Sequence, residues 1–313
     1  MRMTLPIVMA LLVVYVFWGG TYLAMKVAIE TLPPFTMAGI RFLIAGVLVY
    51  VWQRVRGVEK PKAIHWKNTA IIGVIMLLGG NGSIVWAEQF VSSGIAAIVF
   101  ATVPFWVALL SWLWQGDKRP NRMVFGGLAL GIMGISFLVN NSVGEISNTT
   151  SQWFGYIALV IASLFWAVGA LYSRVAKVPS SPFMAAALQM IAGGASCLLF
   201  GFTMGEWTQL DFSFVSIRSV IALGYLILFG SIIGFSAYIW LLKVADPILV
   251  TTNTYVNPVV AVMLGWILAG EQMTMNDALA AAIIILSVII ISKANNREVV
   301  MPPVEEKVAN RYA

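Results

Sequence analysis

This chain of 313 residues has one histidine, one cysteine and few charges to offer to chemistry. His65 falls in a charged loop and Cys197 in an apolar run. A lone cysteine excludes an intrachain disulfide, and we read it as packing. The four aspartates, Asp117, Asp211, Asp246 and Asp277, all fall in loops or at the ends of apolar runs. There is no H-E-x-x-H pattern, no aspartate pair within a run and no phosphate-binding glycine loop. Neither a nucleophile–base constellation nor a zinc site can be assembled from this set. We therefore expect no enzyme activity, no cofactor and no bound metal. The chain also lacks a ring of charges or a repeated carbonyl filter, which argues against a channel. A carrier of phosphate-bearing cargo would need several cations along its path, and a single arginine inside a run is thin support.

What the sequence has in abundance is apolar surface. Hydrophobic residues make up 60% and charged residues 10%, and the mean hydropathy is +0.90. A soluble domain averages ~45–50% apolar and ~25% charged. Ten apolar runs follow one another, at about 6–28, 34–53, 69–88, 93–114, 121–139, 153–174, 181–203, 217–242, 247–268 and 275–293. Crossing a bilayer core takes ~20 apolar residues per helix. The first run is too long for a signal-peptide core and lacks a small-x-small cleavage site, so it reads as retained. Residues 296–313 mix charge and proline and read as a disordered tail.

The runs form two versions of one unit. Shifting residues 93–139 by 154 places Pro104 on Pro258, Trp112 on Trp266, Gly116 on Gly270 and Asp117 on Glu271. At an offset of 148, Trp18 meets Trp166 and residues 40–46 meet 188–194. At 151, Gly73 meets Gly224 and Gly79 meets Gly230. Residues 1–145 and 150–295 are thus read as two five-helix repeats.

Loop charges set the orientation. With the N-terminus inside, 16 of the 19 Lys and Arg residues fall on the inner side. Only Lys26 and Arg218 fall outside, and Arg41 lies within the second run. Such a bias places both termini in the cytoplasm. The net charge of +6 is then explained by topology, and nucleic acid is not expected as a partner. Five helices per unit is an odd number, so the second unit enters the membrane from the opposite side. The expected fold is an all-α membrane protein of ten transmembrane helices, two five-helix inverted-topology repeats around a central cavity. Secondary transporters are built this way, with the substrate site near the midplane.

The cluster Trp18-Gly19-Gly20-Thr21-Tyr22, the segment Gly39-Ile40-Arg41-Phe42, the stretch from Pro104 to Asp117, and Tyr255-Val256-Asn257-Pro258 running to Gly270-Glu271 resemble the EamA-type transporters of the drug/metabolite transporter superfamily. The resemblance covers both repeats and is strongest to bacterial exporters of amino acids and related metabolites. It implies ten helices around a cavity, export by alternating access, and residence in the bacterial inner membrane. Two features depart from the family pattern. The acid closing the fourth helix is Asp117 rather than Glu, and the glycines at 126, 127, 131 and 134 become alanines 280–282 in the second copy.

Candidate site residues follow from depth and periodicity. Arg41, well inside a helix, is a functional-site hypothesis by default, and its repeat partner is the neutral Gln189. One cation suits a substrate with one anionic end. The other reading is a structural arginine satisfied by loop carbonyls or by reaching outward. Glu88 ends the third run in Trp86-Ala87-Glu88, with Asn81 seven residues earlier on the same face. Glu88 lies at a height where it can pair with Arg41, and it is the carboxylate available to carry a coupled proton. Tyr15, Trp18 and Tyr22 share a face of the first helix, Trp166 repeats Trp18, and Tyr238 and Tyr255 add hydroxyls at depth. Asn253 and Asn257 gather around Pro258, and Pro104 and Pro258 are expected to bend their helices. Gly127 and Gly131 form a small-xxx-small pair, read as packing within one chain, with a homodimer as the alternative. The substrate is a small molecule, an amino acid or an amphipathic or aromatic compound. Purines, sugars or cationic drugs in the same fold are the alternative, and a membrane-embedded enzyme is the remaining one.

Overall fold

The computed structural model describes residues 4–91, 96, 99–115, 122–140, 150–257, 259–260, 275, 279, 282–287 and 289–291. The described elements are all helical. In chain order we name α1 Leu5–Ala28, α2 Pro34–Val55, α3 Ala63–Ala87, α4 Val103–Gln115, α5 Arg122–Asn140, α6 Thr150–Val175, α7 Pro182–Thr203 and α8 Ile217–Val244. Among the described residues six helices, α1–α3 and α6–α8, are long and apolar enough to cross a membrane. Pro258, Gly116, Asp117, Gly270, Glu271 and the tail lie outside the described residues, as does most of 261–281.

Helix starts follow local chemistry. Prolines occupy the first turn of α1, α2 and α7, where the missing N–H has no helical acceptor to lose. Ser181 and Ser216 cap α7 and α8 by accepting from the Met184 and Ser219 amides. The start of α2 is capped from a distance. Glu206, which opens the short helical turn Glu206–Gln209 after α7, accepts from the Phe35 and Thr36 amides at 3.0 and 2.7 Å and from the Thr36 hydroxyl at 2.8 Å. Gly201 leaves room, since a Cβ there would stand 2.8 Å from the Glu206 carboxylate. A carboxylate at a helix N-terminus also complements the dipole. Glu206→Ala should lower stability by about 1–2 kcal/mol. Thermal denaturation followed by size-exclusion chromatography measures this, with transport per folded molecule unchanged.

Pro104 lies in the first turn of α4, directly after a turn at residues 101–102. The expected mid-helix bend is therefore a helix start. Proline disfavours the helical conformation in the residue before it and cannot supply the next helical donor, so a new helix nucleates there instead of bending through it.

The two units pack reciprocally. α2 lies along α7, its partner in the repeat, while α1 packs on α8 and α6 packs on α3. Glycine lets α2 and α7 approach to backbone contact. A Cβ on Gly46 would stand 2.7 Å from the Ile191 amide nitrogen, and one on Gly194 would stand 2.5 Å from that of Leu43. Two π-helical stretches interrupt the crossing helices, Val74–Gly82 in α3 and Leu226–Phe235 in α8. They fall at matching repeat positions, and such segments concentrate at functional sites. Gly127 and Gly134 of α5 face isoleucines within 283–291 of the same chain, and Gly131 faces Ser287 and Tyr255.

Candidate functional site

The centre of the molecule is built from repeat partners. Trp18 and Trp166 meet edge-to-face with ring centroids 5.6 Å apart. Each reaches into the π-helical stretch of the opposite unit. A Cβ on Gly80 of α3 would stand 3.0 Å from the Trp166 ring, and one on Gly234 of α8 would stand 2.5 Å from Trp18 Nε1. The two indoles are also fixed by hydrogen bonds. Trp18 Nε1 donates to the Gly230 carbonyl at 2.8 Å, and Trp166 Nε1 donates to the Tyr238 hydroxyl at 2.9 Å.

Beside this pair is a cavity of about 40 Å³. Of the twelve cavity residues singled out in the sequence, seven line it: Trp18, Tyr22, Arg41, Asn81, Trp166, Asn253 and Asn257. Arg41 is 3% exposed. Its Nε donates to the Ser231 hydroxyl at 2.8 Å, and its guanidinium lies 4.6 Å from the centre of the Phe42 ring. Gly230 makes space for it, since a Cβ there would stand 2.8 Å from Nη2. Among the described residues, the buried atoms Arg41 Nη1, Asn81 Oδ1, Asn253 Oδ1 and Asn257 Oδ1 have no hydrogen-bond partner. A buried guanidinium nitrogen without a partner is costly unless a ligand or water meets it. A cavity of 40 Å³ holds water but no metabolite, because ligand pockets run to ~300–1,000 Å³.

Five predicted cavity residues lie elsewhere. Trp86 is half-buried and packs against the Phe90 ring at 4.8 Å. Glu88 is fully buried, yet neither of its side-chain oxygens has a hydrogen-bond partner among the described residues, so the expected Arg41–Glu88 pair is not formed. Arg41 is turned to Ser231, and the cation beside Glu88 is Lys26, whose Nζ donates to the Glu88 carbonyl at 3.0 Å. Gln189 is buried in α7 with both polar atoms unpartnered, outside the cavity lining. Tyr238 stands behind the indoles, 5.0 Å from Trp18 and 5.6 Å from Trp166. Tyr255 joins a second core cluster with Val124 and Leu128 of α5. Tyr15 is tied to the Thr252 hydroxyl at 2.7 Å. The sequence did not single out Ser231, or Thr21, which lines the cavity and donates to the Trp18 carbonyl at 2.7 Å. Small hydroxyl residues are ordinary inside helices and gave no signal.

A larger vestibule of about 630 Å³ lies at the end of the bundle where the basic residues collect. It is lined by His65, Arg174, Lys177 and Lys243 with apolar residues of α7 and α8.

Comparison with known proteins places these features in context. The chain is 39% identical over 283 residues to the uncharacterized inner membrane transporter YedA of Escherichia coli K12, covering 90% of this chain and 89% of the relative. It is 25% identical to the uncharacterized transporter YoaV of Bacillus subtilis, covering 88% of this chain and 93% of that one. A crystal structure of a protein 20% identical in sequence superposes with a TM-score of 0.76, covering 93% of this chain and 98% of that chain, and shows the same fold. The model of the EamA-like transporter family matches twice, over residues 5–140 and 153–293. The chain is a multi-pass membrane protein made of two EamA domains and belongs to the EamA-like transporter family.

Proposed function

We propose that the chain exports small carboxylate-bearing metabolites, amino acids or amphipathic aromatic acids, by alternating access at the cavity between its two units. The observation that carries this reading is Arg41. It is a buried cation among the residues that line a cavity between the repeats, and its Nη1 has no hydrogen-bond partner among the described residues. An arginine fork reads a carboxylate better than any other side chain. Aromatic walls from Trp18, Tyr22, Phe100 and Trp166 suit an apolar substrate body. The same cation disfavours cationic drugs.

The reading includes ten spanning helices in two inverted five-helix units, residues 1–145 and 150–295, with both termini and the 296–313 tail in the cytoplasm. Reciprocal packing of α1 on α8 and α6 on α3, and the matched π-helical stretches, support it. Because the cavity is too small for a metabolite, entry requires the units to part. The basic vestibule offers an anion a route from the cytoplasm, and the apolar helix faces are otherwise closed to it. Glu88, buried and unpartnered beside Lys26, is the group we assign to a coupled proton.

Counterflow in proteoliposomes tests this reading. Purified protein should exchange labelled amino acids or aromatic acids and ignore their amide analogues, purines, sugars and quaternary amines. Exchange of the amide analogues as fast as the acids would remove the carboxylate from the reading.

A further inference from the structure

A second cavity, separate from the central one, opens between α1, α2, α7 and α8. It holds about 590 Å³, and its walls are almost entirely carbon, with Ala10, Leu48, Trp52, Phe183, Ile233 and Trp240 among them. The polar side chains in that wall are the Trp52 and Trp240 indoles and Ser236, which is buried and whose hydroxyl has no hydrogen-bond partner among the described residues. Leu48 and Trp52 are 52% and 39% exposed, so the groove is open to the surroundings on the α2 side.

The groove lies toward the basic end of the bundle. Leu48 and Trp52 belong to the last turns of α2 before Arg54, Arg56, Lys60 and Lys62. Ala237 and Trp240 belong to the last turns of α8 before Lys243, and Phe183 is the second residue of α7. At its mouth the Trp52 ring meets the Phe183 edge at 5.7 Å and carries the Arg56 guanidinium 4.5 Å above it. A cation held against a ring face by its charge keeps N–H donors for an anion.

We infer that this groove binds one anionic glycerophospholipid, with an acyl chain along the apolar wall and the phosphate on Arg56. An apolar groove open to a bilayer fills with hydrocarbon, because an empty void forfeits dispersion contacts and water against carbon walls is unfavourable. Basic clusters immediately beyond a membrane helix, and basic pockets between such helices, select anionic head groups. No residue of the central cavity lining is shared with this groove, so the inference stands apart from the transport reading.

The test is native mass spectrometry of the full chain released from nanodiscs of equimolar phosphatidylglycerol and phosphatidylcholine. Wild type should retain one lipid, with phosphatidylglycerol favoured about five-fold, the ratio that ~1 kcal/mol from one basic residue gives. Arg56→Gln should retain a lipid without that preference. Ala237→Phe and, independently, Leu48→Trp fill the groove and should abolish retention, while size-exclusion profiles stay monodisperse. Equal retention of both lipids by wild type would overturn the inference. So would a preference that survives Arg56→Gln, or retention that survives both filling variants. Displacement of the lipid by the transported compound would mark the groove as a substrate route and would also overturn it.

Discussion

Arg41→Gln should lower transport of a carboxylate-bearing substrate at least about ten-fold while leaving insertion and yield at the wild-type level. Arg41 is buried, bonded to Ser231, lines the cavity, and has an Nη1 without a hydrogen-bond partner among the described residues. The molecule already accommodates a glutamine at the equivalent place, because the repeat partner of Arg41 is Gln189, buried in α7. A hydrogen bond to a charged group contributes ~1.5–3 kcal/mol, so the loss of exchange should be roughly 10- to 150-fold. Arg41→Lys keeps the charge without the fork and should lose less. Neither variant should gain exchange of the amide analogue that wild type ignores. A purely structural Arg41 predicts something else. If the arginine only neutralised Glu88, Arg41→Gln would lower yield by leaving a buried charge alone, and Arg41→Gln/Glu88→Gln would restore it. Both Glu88 oxygens lack a hydrogen-bond partner beside an intact Arg41, so no such rescue is expected. Counterflow and yield measured across the four proteins separate the two accounts.

The second large effect is on the fold. Gly194→Val should prevent recovery of folded protein. A Cβ at this position would stand 2.5 Å from the Leu43 nitrogen and 3.0 Å from the Gly39 carbonyl oxygen. These are backbone atoms of α2, which cannot rotate away as a side-chain tip can. Overpacking a core costs ~1–3 kcal/mol when side chains yield. Here the helices themselves must separate, and the α2–α7 packing that joins the two units opens with them. Gly194→Ala should lower the thermal midpoint measurably. Gly126→Val is the control, because nothing stands within 4 Å of its Cβ position. Wild-type yield and midpoint for Gly194→Val would show that α2 and α7 are not held together as described.

Much of this was legible in the sequence for physical reasons. Spans announce themselves because lipid demands apolar length, and the repeat showed because Trp18 and Trp166 are the same residue at one offset. Arg41 stood out because a charge inside a membrane helix is rare. The facing of residues was less legible. Residues seven apart return to one face of an α-helix, which suggested that Asn81 and Glu88 look into one cavity. Of the two, only Asn81 lines the cavity, and Glu88 stands at the end of the helix beside Lys26. Depth likewise placed Tyr255 and Gln189 near the centre without saying which way they turn. Ser231 and Glu206 escaped because their roles depend on partners 190 and 170 or more residues away.

Alternating exposure of the cavity is the central claim, and accessibility of Thr21 tests it most directly. Thr21 lines the cavity, and Cys197, the single native cysteine, is buried and can be replaced by serine. In that background Thr21→Cys should react slowly with a membrane-impermeant thiol reagent from either side of oriented vesicles. Substrate should shift the ratio of the two rates. Lys60→Cys and Ser180→Cys serve as references and should react from one common side, the cytoplasmic one. Reaction of Thr21→Cys from a single side under every condition, or Lys60→Cys and Ser180→Cys on opposite sides, would contradict the account.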